Sequence, residues 1–215
     1  MLAITLCIGS LPAMAGSVTF FTNLGPQGDL YDSGEGWTIA GTFGGGDQSI
    51  ATSFTALASG SITQIDLGVA YLNGPNAFYA ALYTDNNGAL GTQLGIWNNL
   101  SSNQSFGGCC GLVTITGITG ITLTAGEQYF LALGPMDPNG DTGEAWYYNN
   151  QGAMGLQLSS HDGGMTWIAN GQQTMGAFDV LGTSGGGTTP EPSSLLLLGT
   201  GLVGAFGSIR RKLNK

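Results

Sequence analysis

Between residues 17 and 182, no stretch of the chain places apolar residues at the helical spacing of i, i+3, i+4 and i+7. Apolar residues occur instead in short runs rich in β-branched and aromatic side chains, separated by clusters of glycine, asparagine, aspartate and serine. Such runs are typical of short strands joined by tight turns. The sequence therefore predicts an all-β body, an antiparallel β-sandwich or jelly roll.

Alternation within the runs indicates strands that have one face against a core. Ile65, Leu67 and Val69 share a face, because successive residues of a strand point to opposite sides. The body is expected to span 16–182. Its predicted strands are 17–22, 37–42, 49–55, 62–71, 78–84, 94–97, 112–116, 129–133, 145–148, 156–159 and 177–181.

All four basic residues lie in the last six positions of the chain. Of the thirteen acidic residues only Glu191 lies outside 16–189, so that stretch has twelve acidic residues and no lysine or arginine. Nucleic-acid binding requires basic side chains that neutralise phosphates, and the sequence therefore excludes it. Sites that hold a phosphate or a carboxylate through arginine or lysine are excluded for the same reason.

The first fifteen residues resemble a secretory signal peptide. An apolar run ends at Pro12, and Ala13 and Ala15 follow in the A-x-A cleavage pattern, which predicts a mature chain that starts at Gly16. The segment lacks the positively charged start of such peptides, which indicates that its beginning is truncated. The alternative interpretation is a buried strand.

The C-terminal segment, residues 190–215, has three parts. The second part is an apolar stretch over 195–209. As a helix this stretch would rise about 22 Å, which is short for a hydrocarbon layer of about 30 Å. The basic cluster that follows predicts a cytoplasmic C-terminus and a body on the other side of the membrane. Residues 183–189 are expected to be a flexible linker. The three parts are Pro190-Glu191-Pro192, a transmembrane helix over 195–209, and Arg210-Arg211-Lys212.

This arrangement resembles the PEP-CTERM sorting signal of Gram-negative bacteria. The resemblance implies that exosortase, an integral-membrane enzyme, recognises Pro190, Glu191 and Pro192 and cleaves near them, and that the basic cluster is the stop. It also implies a host that makes exopolysaccharide and biofilm. The protein would be held in the inner membrane before processing and would then reach the cell surface or matrix. The alternative is a plain anchor that is never cut, although such anchors run nearer 20 residues.

The body is similar to the exported bacterial β-sandwich domains called choice-of-anchor, type R in particular. The similar residues are the run Phe78–Tyr83, the turn Asp85-Asn86-Asn87-Gly88 with Gly91, and the stretch 123–133. The resemblance implies a jelly-roll body combined with one of several surface anchors. It implies no defined activity.

One hairpin resembles the Asp-box of sialidases, with the pattern S-x-D-x-G-x-T-W. In that family the box is structural and lies away from the catalytic centre. Sialidases also hold their substrate carboxylate with arginines, which this body lacks. We therefore predict a turn in which the aspartate accepts backbone N–H groups and the tryptophan packs beneath. The matching residues are Ser160, Asp162, Gly164, Thr166 and Trp167.

Histidine and cysteine offer little for catalysis. His161, the only histidine, lies inside the Asp-box and already has a turn position, and no second histidine or ordered cysteine cluster exists for zinc. Cys109 and Cys110 are expected to form a disulfide with each other, since an exported protein meets an oxidising compartment. Stapling of the loop is the favoured role, and a redox switch is the alternative.

Two further patterns suggest ligands. Asp137, Asn139 and Asp141 supply oxygens at a spacing that Ca²⁺ can use, but ordinary β-turns favour the same residues. Trp146 and Tyr148 would share one face of a strand and could stack on sugar rings, although core packing is the favoured interpretation for any single one of these aromatic residues. No cofactor is expected, with calcium as the weak alternative.

These observations predict an exported, non-enzymatic β-sandwich protein, structural or adhesive and associated with extracellular polysaccharide. A carbohydrate-binding module that uses exposed aromatic side chains, with or without calcium, is the alternative. A glycoside hydrolase is the third interpretation, and it would need two carboxyl groups about 5–10 Å apart in a cleft.

Overall fold

The computed structural model describes residues 16–185, and within them it contains strands, one short 3-10 turn at Phe43–Gly45 and no α-helix. The prediction of an all-β body is confirmed. The strands are β1 (Ser17–Thr22), β2 (Asp32–Ala40), β3 (Ser49–Thr55), β4 (Gly60–Leu67), β5 (Val69–Asn73), β6 (Phe78–Asp85), β7 (Leu90–Leu100), β8 (Val113–Thr116), β9 (Thr122–Leu123), β10 (Gln128–Pro135), β11 (Gly143–Tyr148), β12 (Met154–Ser160), β13 (Ile168–Thr174) and β14 (Phe178–Ser184).

The strands form three antiparallel sheets. The first sheet has the order β1-β14-β4-β8, with β9 paired to β4; the second has the order β13-β12-β3-β10-β6-β7; the third has the order β2-β11-β5. β1 is paired only with β14, in a register that sets Ser17 opposite Thr183. The first and last strands of the body are therefore neighbours.

The main hydrophobic core lies where the inner faces of the sheets meet. It joins Ile65 and Val180 of the first sheet, Leu82 and Leu131 of the second, and Trp146 of the third, all of them buried. Alternation explains the division, because β6 turns Phe78, Ala80 and Leu82 inward and its tyrosines outward. Two sheets that share one core in this way form a β-sandwich.

Two smaller clusters lie outside the main core. Tyr31 and Tyr147 stack at a centroid distance of 4.7 Å over the other face of the third sheet. Phe130 and Leu158 form a second cluster on the outer face of the second sheet, where Trp167 packs against them. These clusters fix the loops that carry the candidate sites.

The structure corrects the predicted strands at several points. β2 spans Asp32–Ala40 and β7 spans Leu90–Leu100, against the predicted 37–42 and 94–97, and β9 was not predicted. The run 62–71 is two strands separated at Gly68, whose N–H donates to the carbonyl of Ala177 at 2.9 Å. β13 was not predicted, because the composition of Ile168–Thr174 is that of a loop; it forms by pairing with β12. β14 continues through Ser184, two residues into the predicted linker, because Ser184 pairs with Gly60.

Several predictions fall on residues outside 16–185. They are the signal peptide with Ala13 and Ala15, the sorting residues Pro190, Glu191 and Pro192, the helix over 195–209, and the cluster Arg210, Arg211 and Lys212. Among residues 16–185, no helix has the length and the apolar character needed to cross a membrane.

Candidate functional site

The Asp-box hairpin joins β12 to β13 through a closed set of hydrogen bonds. Asp162 accepts the backbone N–H of Thr166 at 2.8 Å and the hydroxyl of Thr166 at 2.6 Å. Ser160 donates its hydroxyl to Asp162 at 2.8 Å and accepts the N–H of Gly164 at 2.9 Å. Gly163 and Gly164 take φ of 71° and 84°, the region that favours glycine. The indole of Trp167 donates to the carbonyl of Gly164 at 3.0 Å and closes the turn from below.

These bonds determine the charge state of Asp162. The hydroxyl and N–H of Thr166, and then the hydroxyl of Ser160, lower the pKa of Asp162 to about 2. The carboxylate is therefore ionised at neutral pH and has no proton to donate to a substrate. Because the Ser160 hydroxyl donates to Asp162, it does not donate to His161 as a serine nucleophile would.

A loop distant in sequence completes this region. Asp47 accepts the N–H of Gly163 through its carboxylate, and its backbone carbonyl lies 2.8 Å from Nδ1 of His161. The second carboxylate oxygen of Asp47 is buried and has no hydrogen-bond partner within residues 16–185. Together these residues border a cleft of about 420 Å³, the Asp-box cleft, lined by Asp47, Pro138, Asn139, His161, Asp162, Gly163 and Met165. No sequence pattern places Asp47 here, since it precedes the box by more than a hundred residues.

The cysteine loop is held against the third sheet by its neighbours. Cys109 and Cys110 are bonded to each other through their sulfurs, and Cys109 is exposed. Gln104 donates to the hydroxyl of Tyr31 and accepts the N–H of Gly111 at 3.0 Å. Tyr31 itself donates to the carbonyl of Gly111 at 2.9 Å. The loop is thus fixed on both sides of the disulfide by side-chain hydrogen bonds.

We expect the double variant Cys109→Ser/Cys110→Ser to lower the free energy of unfolding by no more than about 1 kcal/mol, because a ring closed by adjacent residues constrains little of the unfolded chain. Gln104→Ala, which removes three side-chain hydrogen bonds, should cost about 2 kcal/mol. Urea denaturation of both variants measures the comparison. A loss above about 3 kcal/mol in the cysteine variant would show that the disulfide, and not Gln104, holds the loop.

The predicted aromatic platform of Trp146 and Tyr148 is wrong. Trp146 is 0% exposed, and its indole donates to the carbonyl of Ala177 at 3.1 Å inside the main core. Tyr148 is half-buried and packs edge-on against Trp37 at 5.2 Å. The pleat places both residues on one face, as expected, but that face is the inner one. Neither side chain is presented for stacking on a sugar.

The predicted calcium residues hold turns. Asp137 accepts the backbone N–H of Asn139 at 3.0 Å, which closes a local turn. Asp141 accepts the amide of Asn73 at 2.8 Å and ties two loops together. Within residues 16–185, no three aspartate, glutamate, histidine or cysteine side chains lie close enough to share a metal ion.

Buried carboxyl groups are the polar feature that the sequence analysis missed. Glu144 on β11 is 0% exposed; one oxygen accepts the N–H of Ala77 at 3.1 Å, and the other has no hydrogen-bond partner within residues 16–185. Burial raises the pKa of Glu144 to about 8. The side chain is therefore mostly protonated and neutral at pH 7.

A second pair of carboxyl groups lies on the first sheet. Asp66 on β4 and Asp179 on β14 are directly opposite each other in the strand register. Burial, and then the charge of Asp66, raises the pKa of Asp179 to about 7. No lysine or arginine lies between residues 16 and 185 to offset the charge of Asp66, so Asp179 is protonated below about that pH.

Comparison with known proteins bears on the C-terminal segment. A family model described as the PEP-CTERM protein-sorting motif matches residues 188–212, which include Pro190, Glu191, Pro192 and the basic cluster. No curated protein and no solved structure matches the chain. This motif implies export and processing by exosortase. The chain therefore carries an exosortase sorting motif at its C-terminal end and is an exported protein directed to the cell surface.

Proposed function

We propose that the body of this protein is a non-enzymatic structural or adhesive component of an extracellular polysaccharide matrix. The observation that carries the proposal is the PEP-CTERM motif at 188–212, since the hosts that the resemblance implies make exopolysaccharide. Exosortase is the processing partner. The inner membrane holds the chain only until cleavage.

The charge of the body supports a role in a hydrated matrix. Twelve acidic residues and no basic residue lie between 16 and 189, and several of the acidic side chains, among them Asp29, Glu35 and Glu127, are exposed. A uniformly negative surface keeps a protein soluble and repels anionic polymers. The polysaccharide contacts of such a body must be made by neutral groups or through bridging cations.

The Asp-box cleft supports the non-enzymatic role over hydrolysis. Two carboxylates, Asp47 and Asp162, line it, which is the minimum for a glycoside hydrolase. A hydrolase needs one of them protonated as the general acid. Asp162 has a pKa of about 2 and both of its oxygens are occupied, and Asp47 is bound to the N–H of Gly163. Both groups serve the hairpin.

A carbohydrate-binding module is the second candidate function. The platform predicted for such a module does not exist, because Trp146 is buried. A different cleft, between β1 and β13, combines aromatic and neutral polar side chains. Such a combination suits recognition of hydroxyl groups together with the apolar faces of sugar rings. This cleft therefore keeps the candidate open.

We expect the triple variant Pro190→Ala/Glu191→Ala/Pro192→Ala to abolish processing in the native host. The wild-type chain should be found outside the inner membrane with a mass that begins at Gly16 and ends near Pro190. The variant should retain its C-terminal segment and remain in the inner membrane, because exosortase no longer recognises it. Intact-mass analysis of the membrane and extracellular fractions is the measurement.

The matched control is Gly186→Ala/Gly187→Ala, which changes neighbouring residues that lie outside the matched motif. It should be processed like the wild type. Equal masses for the wild type and the triple variant, both with the full C-terminal segment, would make residues 195–209 a plain anchor. A processed protein that is absent from the polysaccharide fraction of the host would overturn the matrix role.

A further inference from the structure

The cleft between β1 and β13 lies at the open edge of the sandwich. β1 is the edge strand of the first sheet and β13 is the edge strand of the second. The space between them, here called the edge cleft, has a volume of about 510 Å³ and is lined by Phe21, Phe54, Gln128, Met154, Gln172 and Met175 together with smaller residues. This volume lies within the range of small-molecule binding sites.

The floor and mouth of the edge cleft are apolar. Phe21 and Phe54 lie side by side at a centroid distance of 5.2 Å, and Met175 is buried beside them. At the mouth, Leu57 is 71% exposed and Met154 is 55% exposed. Large apolar side chains that meet solvent around a concave aromatic floor are the usual sign of a contact surface.

Neutral polar groups surround this floor. The amides of Gln128 and Gln172 are exposed and make no hydrogen bond within residues 16–185. Beneath Gly155, which also lines the cleft, the Thr52 hydroxyl is buried and has no hydrogen-bond partner in that range. This hydroxyl lies 2.9 Å from the position that a Cβ on Gly155 would occupy, so it lies directly beneath the glycine and is itself closed to solvent. A buried hydroxyl without a partner normally finds one in water or a ligand.

The edge cleft contains no charged side chain, although the body has twelve acidic residues. A metal ion would find no carboxylate there, and an anionic polymer would find no cation. The side chains of an apolar peptide would contact Leu57 and Met154 but would bury the amides of Gln128 and Gln172 without a partner, which costs free energy for each polar group so buried. A chain of neutral sugars offers both hydroxyl groups and apolar ring faces.

We infer that the edge cleft binds a segment of neutral polysaccharide, with Phe21, Leu57 and Met154 against the apolar faces of the sugar rings and Gln128 and Gln172 on the hydroxyl groups. The inference rests on the proposed matrix role and names the class of sugar and the place where it binds. It replaces the platform of Trp146 and Tyr148 with residues that the strand register brings together from five strands and the loops beside them.

Affinity gel electrophoresis of the full chain in a polyoxyethylene detergent, which has no sugar head group, tests the inference. The gels contain dextran, laminarin, galactomannan or, as the anionic comparison, alginate. The wild type should be retarded by at least one neutral polymer and not by alginate. Gln128→Ala/Gln172→Ala should weaken that binding at least tenfold, because both amides are lost while no core residue changes.

The matched control, Gln27→Ala/Asn98→Ala, removes two exposed amides outside the cleft and should bind like the wild type. Equal retardation of the cleft variant and the wild type overturns the inference, as does retardation by alginate alone or by none of the neutral polymers. Pelleting with the host's own extracellular polysaccharide tests the matrix role separately. If the wild type and the cleft variant pellet with that polysaccharide to the same extent, the matrix role is preserved and the edge cleft is not the site of binding.

Discussion

Glu144→Gln is expected to stabilise the body by about 4 kcal/mol at pH 8 and by about 1 kcal/mol or less at pH 5. The pKa of Glu144 is about 8 in the folded protein against 4.5 when the side chain is free. The folded state therefore binds the proton more tightly, and its stability falls as the pH rises from 4.5 through 8. Glutamine is neutral at every pH and removes this dependence.

The measurement is urea denaturation at pH 5, 6, 7 and 8 for the wild type and the variant. Glu127→Gln, which removes an exposed carboxylate, is the control and should follow the wild type at every pH. A constant difference between the Glu144 variant and the wild type across this range would mean that Glu144 is charged in the folded protein. The unpartnered oxygen would then need a cation or water beside it.

Asp179 adds a smaller slope in the same direction. Its pKa of about 7 lies above the ordinary 3.8, so folded-state stability falls as the pH rises from 3.8 through 7. Its partial exposure reduces the free energy involved. Asp162 acts in the opposite sense, because its lowered pKa adds stability above pH 3.8 that is lost as the pH falls through about 2. Measurements from pH 5 upward separate the two effects.

Trp146→Ala is expected to lower the free energy of unfolding by about 4 kcal/mol, the usual cost of removing a buried tryptophan. The indole lies in the main core and donates to the carbonyl of Ala177, which would be left without that donor. Gly176 is shaped around it, since a Cβ there would lie 2.2 Å from the ring. The variant therefore loses both packing and a hydrogen bond.

Met165→Ala is the matched control for this prediction, because Met165 is 79% exposed and should change stability by no more than about 0.5 kcal/mol. Denaturation monitored by circular dichroism gives both values. In the same gels as above, Trp146→Ala should bind polysaccharide normally at temperatures where it is folded. A folded Trp146→Ala variant that had lost polysaccharide binding would support the predicted stacking of sugar rings on Trp146 and Tyr148.

Local patterns were enough to predict the strands whose side chains alternate or are strongly β-forming. β1 and β3 have the predicted bounds because each is a run of β-branched and aromatic residues between turn-forming residues. β13 escaped prediction because Ile168–Thr174 contains asparagine, glycine and two glutamines, and its strand depends on β12. Pairing with β12 therefore stabilises a strand that the composition of this segment does not favour.

The hairpin of the Asp-box was predictable for the same reason, since the bonds that close the turn lie within the eight residues 160–167. The clefts were not. Asp47 reaches His161 and Gly163 across more than a hundred residues, and the edge cleft combines Phe21 with Gln172. Such neighbours depend on strand order and register, which a single sequence does not reveal.

Burial was the other missing quantity. Trp146 and Glu144 both point to the inner side of β11, and the alternation of that strand was foreseen without the knowledge of which side is inner. A glutamate in the middle of a strand normally indicates a solvent face. Here the glutamate lies in the interior. The wrong platform prediction and the failure to predict a buried Glu144 have the same cause, because the sequence does not show which face of β11 is buried.

The pairing of β1 with β14 determines where the chain enters and leaves the body. Gly16 and Ser184 are hydrogen-bonded neighbours, and Gly185 donates to Ser59, just beyond the end of β3 that carries Thr55. The Asp-box follows β12 at the other end of β3, about 20 Å away along that strand. A tether that continued from Gly185 would therefore leave the edge cleft, which includes Thr55 and Leu57, at the near end of the body and the Asp-box cleft at the far end.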